Sequence, residues 1–165
     1  MISKKKPFFP ISDALMHFLK KYDRWMESSI CYEDLLRFSG SVIVHDKYDN
    51  DTLWVRVYYS DSDREEIDYQ LKTIYTLLHS DGNDSSIPDL NIDAIDYCTF
   101  GNSKPFRIKI RNILNDNFTY FYVKKTDASR VYGLEFEHTL SPYNLNYMVN
   151  HDTLIEEHIA GIPGD

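Results

Sequence analysis

From Ile92 onward the chain alternates short apolar, aromatic-rich runs with stretches of turn-forming residues, and this punctuation restricts the fold more than any other feature. The order is IDAIDYCTF, the turn GNSKP, FRIKIRNI, the turn LNDN, FTYFYVKK, then TDASRVYGLEFEHTLSP and NLNYMVNHDTLIEEHIAGIPG. Runs of this length, rich in β-branched and aromatic residues and bounded by Gly, Asn, Asp and Pro, read as strands of an antiparallel meander. One helix interrupts them. Over residues 129–140, Val131, Leu134 and His138 share a helical face, with Glu135 at its border and Glu137 nearer the opposite side. Two further strands follow, over 145–149 and 153–159, joined by Asn150-His151-Asp152.

The first 90 residues carry a different rhythm. Ser12 is placed to cap a helix in which Leu15, Phe18, Leu19, Tyr22 and Met26 recur at helical spacing. Residues 32–38 read as a second short helix closed by Gly40. The period then switches to two: 42–45 and 53–59 read as a hairpin, with Leu53, Val55, Val57 and Tyr59 opposite Trp54, Arg56 and Tyr58. Ser62 and Glu65 have capping-box spacing before a helix striped by Ile67, Leu71, Ile74 and Leu78, with Gly82 as its stop. The polar DGNDSSIPDLN is the best place for a boundary. The expectation is an α+β chain: an α(α)ββα extension over 1–90, then a mostly antiparallel five-stranded sheet with one helix over 91–165.

A chain of 165 residues with 42% hydrophobic content can bury a real core. Its net charge of −8 repels nucleic acid and anionic lipid on average, so a polyanion would need a local basic patch. Lys4, Lys5 and Lys6 offer one, and Lys104, Arg107, Lys109 and Arg111 another. Cys31 and Cys98 lie far apart without zinc-site or disulfide spacing. Pro7, Pro10 and Asp13 break the apolar stretch behind the N-terminal lysines, so no signal peptide is read, and no apolar run is long enough to span a membrane. A cytoplasmic location is the expectation.

Four marks could carry chemistry. Phe100-Gly101-Asn102-Ser103-Lys104-Pro105 lies between two strands, and by itself is an ordinary turn. Lys124 and Lys125 end an aromatic strand, and because successive residues face opposite sides, only one of them can point at a given ligand. Glu135 and Glu137 lie on the following helix, and Leu154-Ile155-Glu156-Glu157-His158-Ile159-Ala160-Gly161 closes the chain as an apolar strand running into a glycine turn. In this order the marks resemble the small, nucleotide-covering lobe of the protein-kinase-like phosphotransferases, from its first strand to its hinge.

The resemblance implies ATP as ligand, with Gly101 allowing close backbone approach to phosphate and Lys124, or Lys125 as the spare, holding it. Glu135, or else Glu137, would orient that lysine. Glu156 would gate the adenine pocket, and the Glu157 C=O and Ile159 N–H would meet the base. The glycine loop has one glycine where the family has three, and a Glu at the gate is unusual for it. The family's catalytic and metal-binding aspartates follow the hinge, so the expectation is a portion of a phosphotransferase that is not competent for catalysis by itself, with Mg bound only if a large lobe is supplied by the same or another chain.

A second reading is a protein-interaction module without chemistry, since Tyr-rich strands offer amphipathic surface. A nucleic-acid module ranks lower: basic Lys104, Arg107, Lys109 and Arg111 stand beside Phe118, Tyr120 and Tyr122, but no RNA-recognition signature accompanies them. The acidic loops at Asp46, Asp49 and Asp51 and at Asp81, Asn83 and Asp84 lack the order and the terminal Glu of a calcium loop.

Overall fold

In the computed structural model, which describes residues 8–27, 30–79, 84–140 and 146–158, and only the backbone of 84–86 and 138–139, the Ser12 side chain accepts the Leu15 N–H at 3.2 Å and starts helix α1 (Asp13–Lys21). This helix is shorter than its apolar stripe suggested. Asp23 takes a left-handed φ of 58°, and the chain then runs extended as Met26 N–H donates to Val149 O and Val149 N–H to Arg24 O. Met26 is therefore buried from an extended segment rather than from a helix. Helix α2 (Tyr32–Leu35) is a single turn, and Gly40 does not close it but opens strand β1 (Gly40–His45).

Strand β2 (Asp51–Tyr58) returns antiparallel to β1. Val57 and Tyr59 face inward as the alternation required, whereas Leu53, at a left-handed φ of 67°, is exposed. Helix α3 (Asp61–His79) begins at Ser60, whose hydroxyl accepts the Asp63 N–H and whose carbonyl accepts the Arg64 N–H. The Ser62–Glu65 pair thus lies inside the helix instead of capping it. The proposed stop, Gly82, and the lysines 4–6 fall outside the described residues.

After a 3-10 turn at Asp84–Asp89 come β3 (Leu90–Cys98), β4 (Phe106–Asn112), β5 (Phe118–Lys125), α4 (Ala128–Leu140), β6 (Tyr147–Asn150) and β7 (Thr153–Glu157). The five expected strands and their helix are all present, but they do not form a five-stranded sheet of their own. All strands join one seven-stranded antiparallel sheet in the order β1-β2-β3-β4-β5-β7-β6. The join is β2 against β3, where Trp54 pairs with Cys98, Val55 with Tyr97 and Arg56 with Asp96. The sheet therefore continues across residue 90.

The sheet is covered unequally. On one face Ile67, Leu71, Ile74 and Leu78 of α3 and Leu35 of α2 pack on Val57, Ile95, Phe106, Ile108, Phe121, Val123 and Ile155. Each such fully buried side chain stabilises the fold by about 1.5–3 kcal/mol. On the other face a smaller core of Leu15, Leu19, Trp25, Val131, Leu134, Tyr147, Val149 and Leu154 lies under α1 and α4, over the β6–β7 end. The strands β2 to β5 present Trp54, Arg56, Arg107, Lys109, Phe118 and Tyr120 on that same face beyond these two helices. No described helix is long and apolar enough to cross a membrane.

Candidate functional site

Alternation along β5 sends Phe121 and Val123 into the large core and Tyr120, Tyr122 and Lys124 to the opposite face. The two lysines separate accordingly. Lys125 turns to the α2 side and pairs with Glu33 at 3.0 Å, while Lys124 reaches across to β7 and pairs with Glu156 at 2.9 Å. The other oxygen of Glu156 accepts from Arg130 of α4 at 3.1 Å, so one nearly buried carboxylate holds two cations. Such charge-assisted bonds are strong only when the carboxylate's remaining lone pairs are also used, and here each oxygen has its own cation.

The loop between β3 and β4 comes to the same place. Cys98 N–H donates to Pro105 O at 3.0 Å to close it, and the Tyr32 hydroxyl donates to Lys104 O at 2.7 Å to anchor it. Gly101 sits at φ 84°, a conformation that penalises a side chain, yet an added Cβ would meet nothing within 4 Å. Conformation rather than crowding accounts for this glycine. Asn102 and Ser103 of the loop, Lys124, Lys125, Thr126, Asp127, Arg130, Leu154 and Phe8 line a cavity of about 540 Å³ that opens widely to solvent. That volume lies within the roughly 300–1,000 Å³ typical of small-molecule sites.

The N-terminal arm borders this cavity. Phe9 N–H donates to Asp127 Oδ2 at 3.2 Å and Phe9 O accepts the Ala128 N–H at 2.8 Å, while Asp127 Oδ1 accepts the Arg130 N–H. The first turn of α4 is thus bonded by the chain itself.

Of the expected site residues, Lys124 and the Gly101 loop are brought together, and Glu135 is engaged elsewhere. Its Oε1 accepts the Tyr147 hydroxyl and lies 2.8 Å from Arg24 Nε, tying α4 to β6 and to the segment after α1. Burial, and then this bond to Glu135, push the Tyr147 hydroxyl well above its ordinary pKa. Lys124 takes Glu156 as its carboxylate partner, because Glu156 is adjacent across the strand pair whereas Glu135 is turned toward β6. Glu137 is exposed on the outer side of α4.

Glu157 exchanges bonds with Asn146: its N–H donates to Asn146 O at 3.1 Å and its Oε1 accepts the Asn146 N–H at 2.9 Å. Ile159 lies outside the described residues. At this end of the strand the Tyr122 hydroxyl and His158 Nδ1 are 3.0 Å apart, and the His158 ring lies 5.8 Å from Tyr120.

The basic strand β4 is largely neutralised. Buried Asp96 accepts from Arg56 Nε at 3.0 Å and from Arg107 Nη2 at 3.0 Å, with Arg107 lying 4.3 Å over the Trp54 ring and 5.4 Å from that of Tyr120. Arg111 is shared by Asp93 and Asp116, and Lys109 lies over Phe118. Burial alone would raise Asp93, but bonds from Asn91 and Arg111 hold it below the ordinary carboxylate range. No cluster of three or more metal-ligating side chains occurs among the described residues.

Reading the sequence missed Arg130 and the role of Glu156 as a lysine partner, because both contacts are made across the fold. The one local sign was Asp127 three residues before Arg130, a spacing that caps a helix and so places Arg130 in its first turn. Comparison with protein-family models, with curated proteins and with solved structures finds no match to this chain.

Proposed function

We propose that this chain supplies the upper half of a nucleotide pocket in a kinase-like phosphotransferase, with ATP phosphates resting against Lys124 and Arg130 under the Gly101 loop. One observation carries the reading: a turn, a strand lysine and a helix arginine, far apart in sequence, line a single cavity of about 540 Å³. The succession of β3, β4, β5, α4, β6 and β7 supports it by element order. Glu156 rather than Glu135 orients the lysine in this version of the site. Catalysis needs aspartates and Mg from a large lobe in the same or another polypeptide, as phosphoryl transfer requires metal and a base beside the lysine.

The test is to titrate ATP·Mg into the chain and into Lys124→Ala while following thermal stability. Half a pocket binds in the millimolar range, and ligand at ten times its Kd stabilises by about 1.4 kcal/mol, or about 3–6 °C for a chain of this size. That shift is expected in the parent and absent in the variant. No shift in the parent rejects the nucleotide reading.

A protein-interaction module is the second reading, and the uncovered sheet face favours it. Arg107 stacked between Trp54 and Tyr120, with Tyr58 and Phe118 exposed nearby, has the residue types concentrated in interface centres.

A further inference from the structure

We infer that the Lys124 cavity reads phosphate and not base, so that its ligands are polyphosphates and phosphorylated compounds irrespective of any attached nucleobase. This rests on the reading of the cavity as a phosphate site and narrows it.

The first argument is what the walls are made of. Asn102 and Ser103 bring an amide and a hydroxyl, Thr126 a second hydroxyl, and Lys124, Lys125 and Arg130 bring three cations. All three are already paired, Lys124 and Arg130 with Glu156 and Lys125 with Glu33, and Asp127 adds a carboxylate to the wall, so a phosphate binds by taking these cations over from their carboxylates rather than by meeting free charge. Phe8 and Leu154 are the apolar members, and among the described lining residues no aromatic pair stands ready to sandwich a flat ring. A volume of about 540 Å³ is ample for a chain of phosphates.

The second argument is what fills the place where a base would go. The Glu157 N–H already donates to Asn146 O at 3.1 Å, and on the Lys124 face beside it Tyr122 and Glu156 stand opposite each other in the β5–β7 pairing. Tyr122 there carries its hydroxyl to His158 Nδ1 at 3.0 Å, and the same histidine closes on Tyr120. His158 N–H also donates to Tyr120 O at 3.2 Å, which keeps the histidine beside β5. None of Tyr122, Glu156 and His158 belongs to the cavity wall. The described phosphate end is therefore built, and the described base end is occupied by side chains that bond to one another.

The α4 N-terminus adds little to recognition, because Phe9 O and Asp127 already accept its Ala128 and Arg130 N–H groups. The charge comes from side chains, and Arg130 is the one able to follow a ligand, being half exposed while Lys124 is mostly covered.

The experiment compares sodium tripolyphosphate, ATP and adenosine by calorimetric titration into the full chain, with sodium sulfate at matched ionic strength as control. Arg130→Ala and Lys125→Ala serve as surface variants whose folding is checked by circular dichroism. Tripolyphosphate is expected to bind within about two-fold of ATP, adenosine and sulfate not at all, and each variant to weaken both polyphosphates by the same factor, about ten-fold for Arg130→Ala. ATP binding ten-fold or more tighter than tripolyphosphate, or any adenosine binding, overturns this inference and leaves the nucleotide reading standing. Failure of both ATP and tripolyphosphate, or sulfate binding equally well, overturns the two together.

Discussion

Replacing Glu156 with Gln tests the centre of the site, because the change removes one charge and almost no volume. Removing one partner of a wholly buried ion pair costs about 3–5 kcal/mol, since the other is left charged without compensation. Here the Glu156 side chain is 8% exposed, but Lys124 and Arg130 are 24% and 51% exposed and can turn toward water. The Gln carbonyl also still accepts one of the two bonds. The expected loss is therefore about 2 kcal/mol, or about 4–8 °C in Tm. Polyphosphate binding should move the other way. Taking a negative charge from behind two cations is worth about 1–3 kcal/mol at an effective dielectric near 20, so affinity rises about five-fold or more. Urea denaturation and calorimetric titration of the same preparation measure both. Combining Glu156→Gln with Arg130→Ala should give a coupling of about 1 kcal/mol in a double-mutant cycle. An unchanged urea midpoint together with unchanged anion affinity would refute the argument that Glu156 holds these cations in place.

Two further outcomes follow from residues away from that carboxylate. His79 is held below its usual 6.5 by burial, partly opposed by Glu157 at 3.8 Å, so just under that pH the unfolded chain binds more protons than the native one. Stability should fall as pH drops through about 6.5 and level off below the lowered native value, so the urea midpoint at about pH 5.5 lies below that at about pH 7.5. His79→Gln should flatten this difference, and a parent protein that gains stability on acidification across the window contradicts the assignment. Gly101→Ala places a Cβ in open space at a left-handed φ of 84°, so strain alone acts, at about 1–2 kcal/mol of destabilisation by urea melt. A neutral or stabilising result would mean the loop does not hold that conformation.

Local chemistry made most elements legible, and distance hid their assembly. Ser12 announced α1, alternation announced β4 and β5, and Ile67, Leu71, Ile74 and Leu78 announced α3, since each signal is complete within a few residues. The seven-stranded sheet was not legible because its join pairs Trp54 with Cys98, and nothing in either run names the other. Gly40 was misread for a related reason: a glycine after a helical turn suggests a left-handed cap, whereas here it is an ordinary strand residue opposite Tyr58. At the site, Lys124 was visible as a strand-end lysine. Its partner was not, because the resemblance pointed to the helix glutamate Glu135 while the β5–β7 register brought Glu156 within reach. Asp96 hid in the same way. Its two arginines come from the strands on either side, so the sequence displayed a basic patch that the fold largely cancels.

The two edges of the sheet have different fates. At the β6 edge the chain's own residues 24–26 lie alongside, with Trp25 bridging Val149 in parallel and the backbone groups of Val149 used in both directions. At the β1 edge, Val42 and Ile43 are about half exposed and no described strand follows. A sheet with two open edges can polymerise without limit. A sheet with one can do no more than accept a single neighbour, after which both ends are closed. The segment after α1 therefore acts as a terminator of strand addition, and any association through the backbone of β1 stops at a pair.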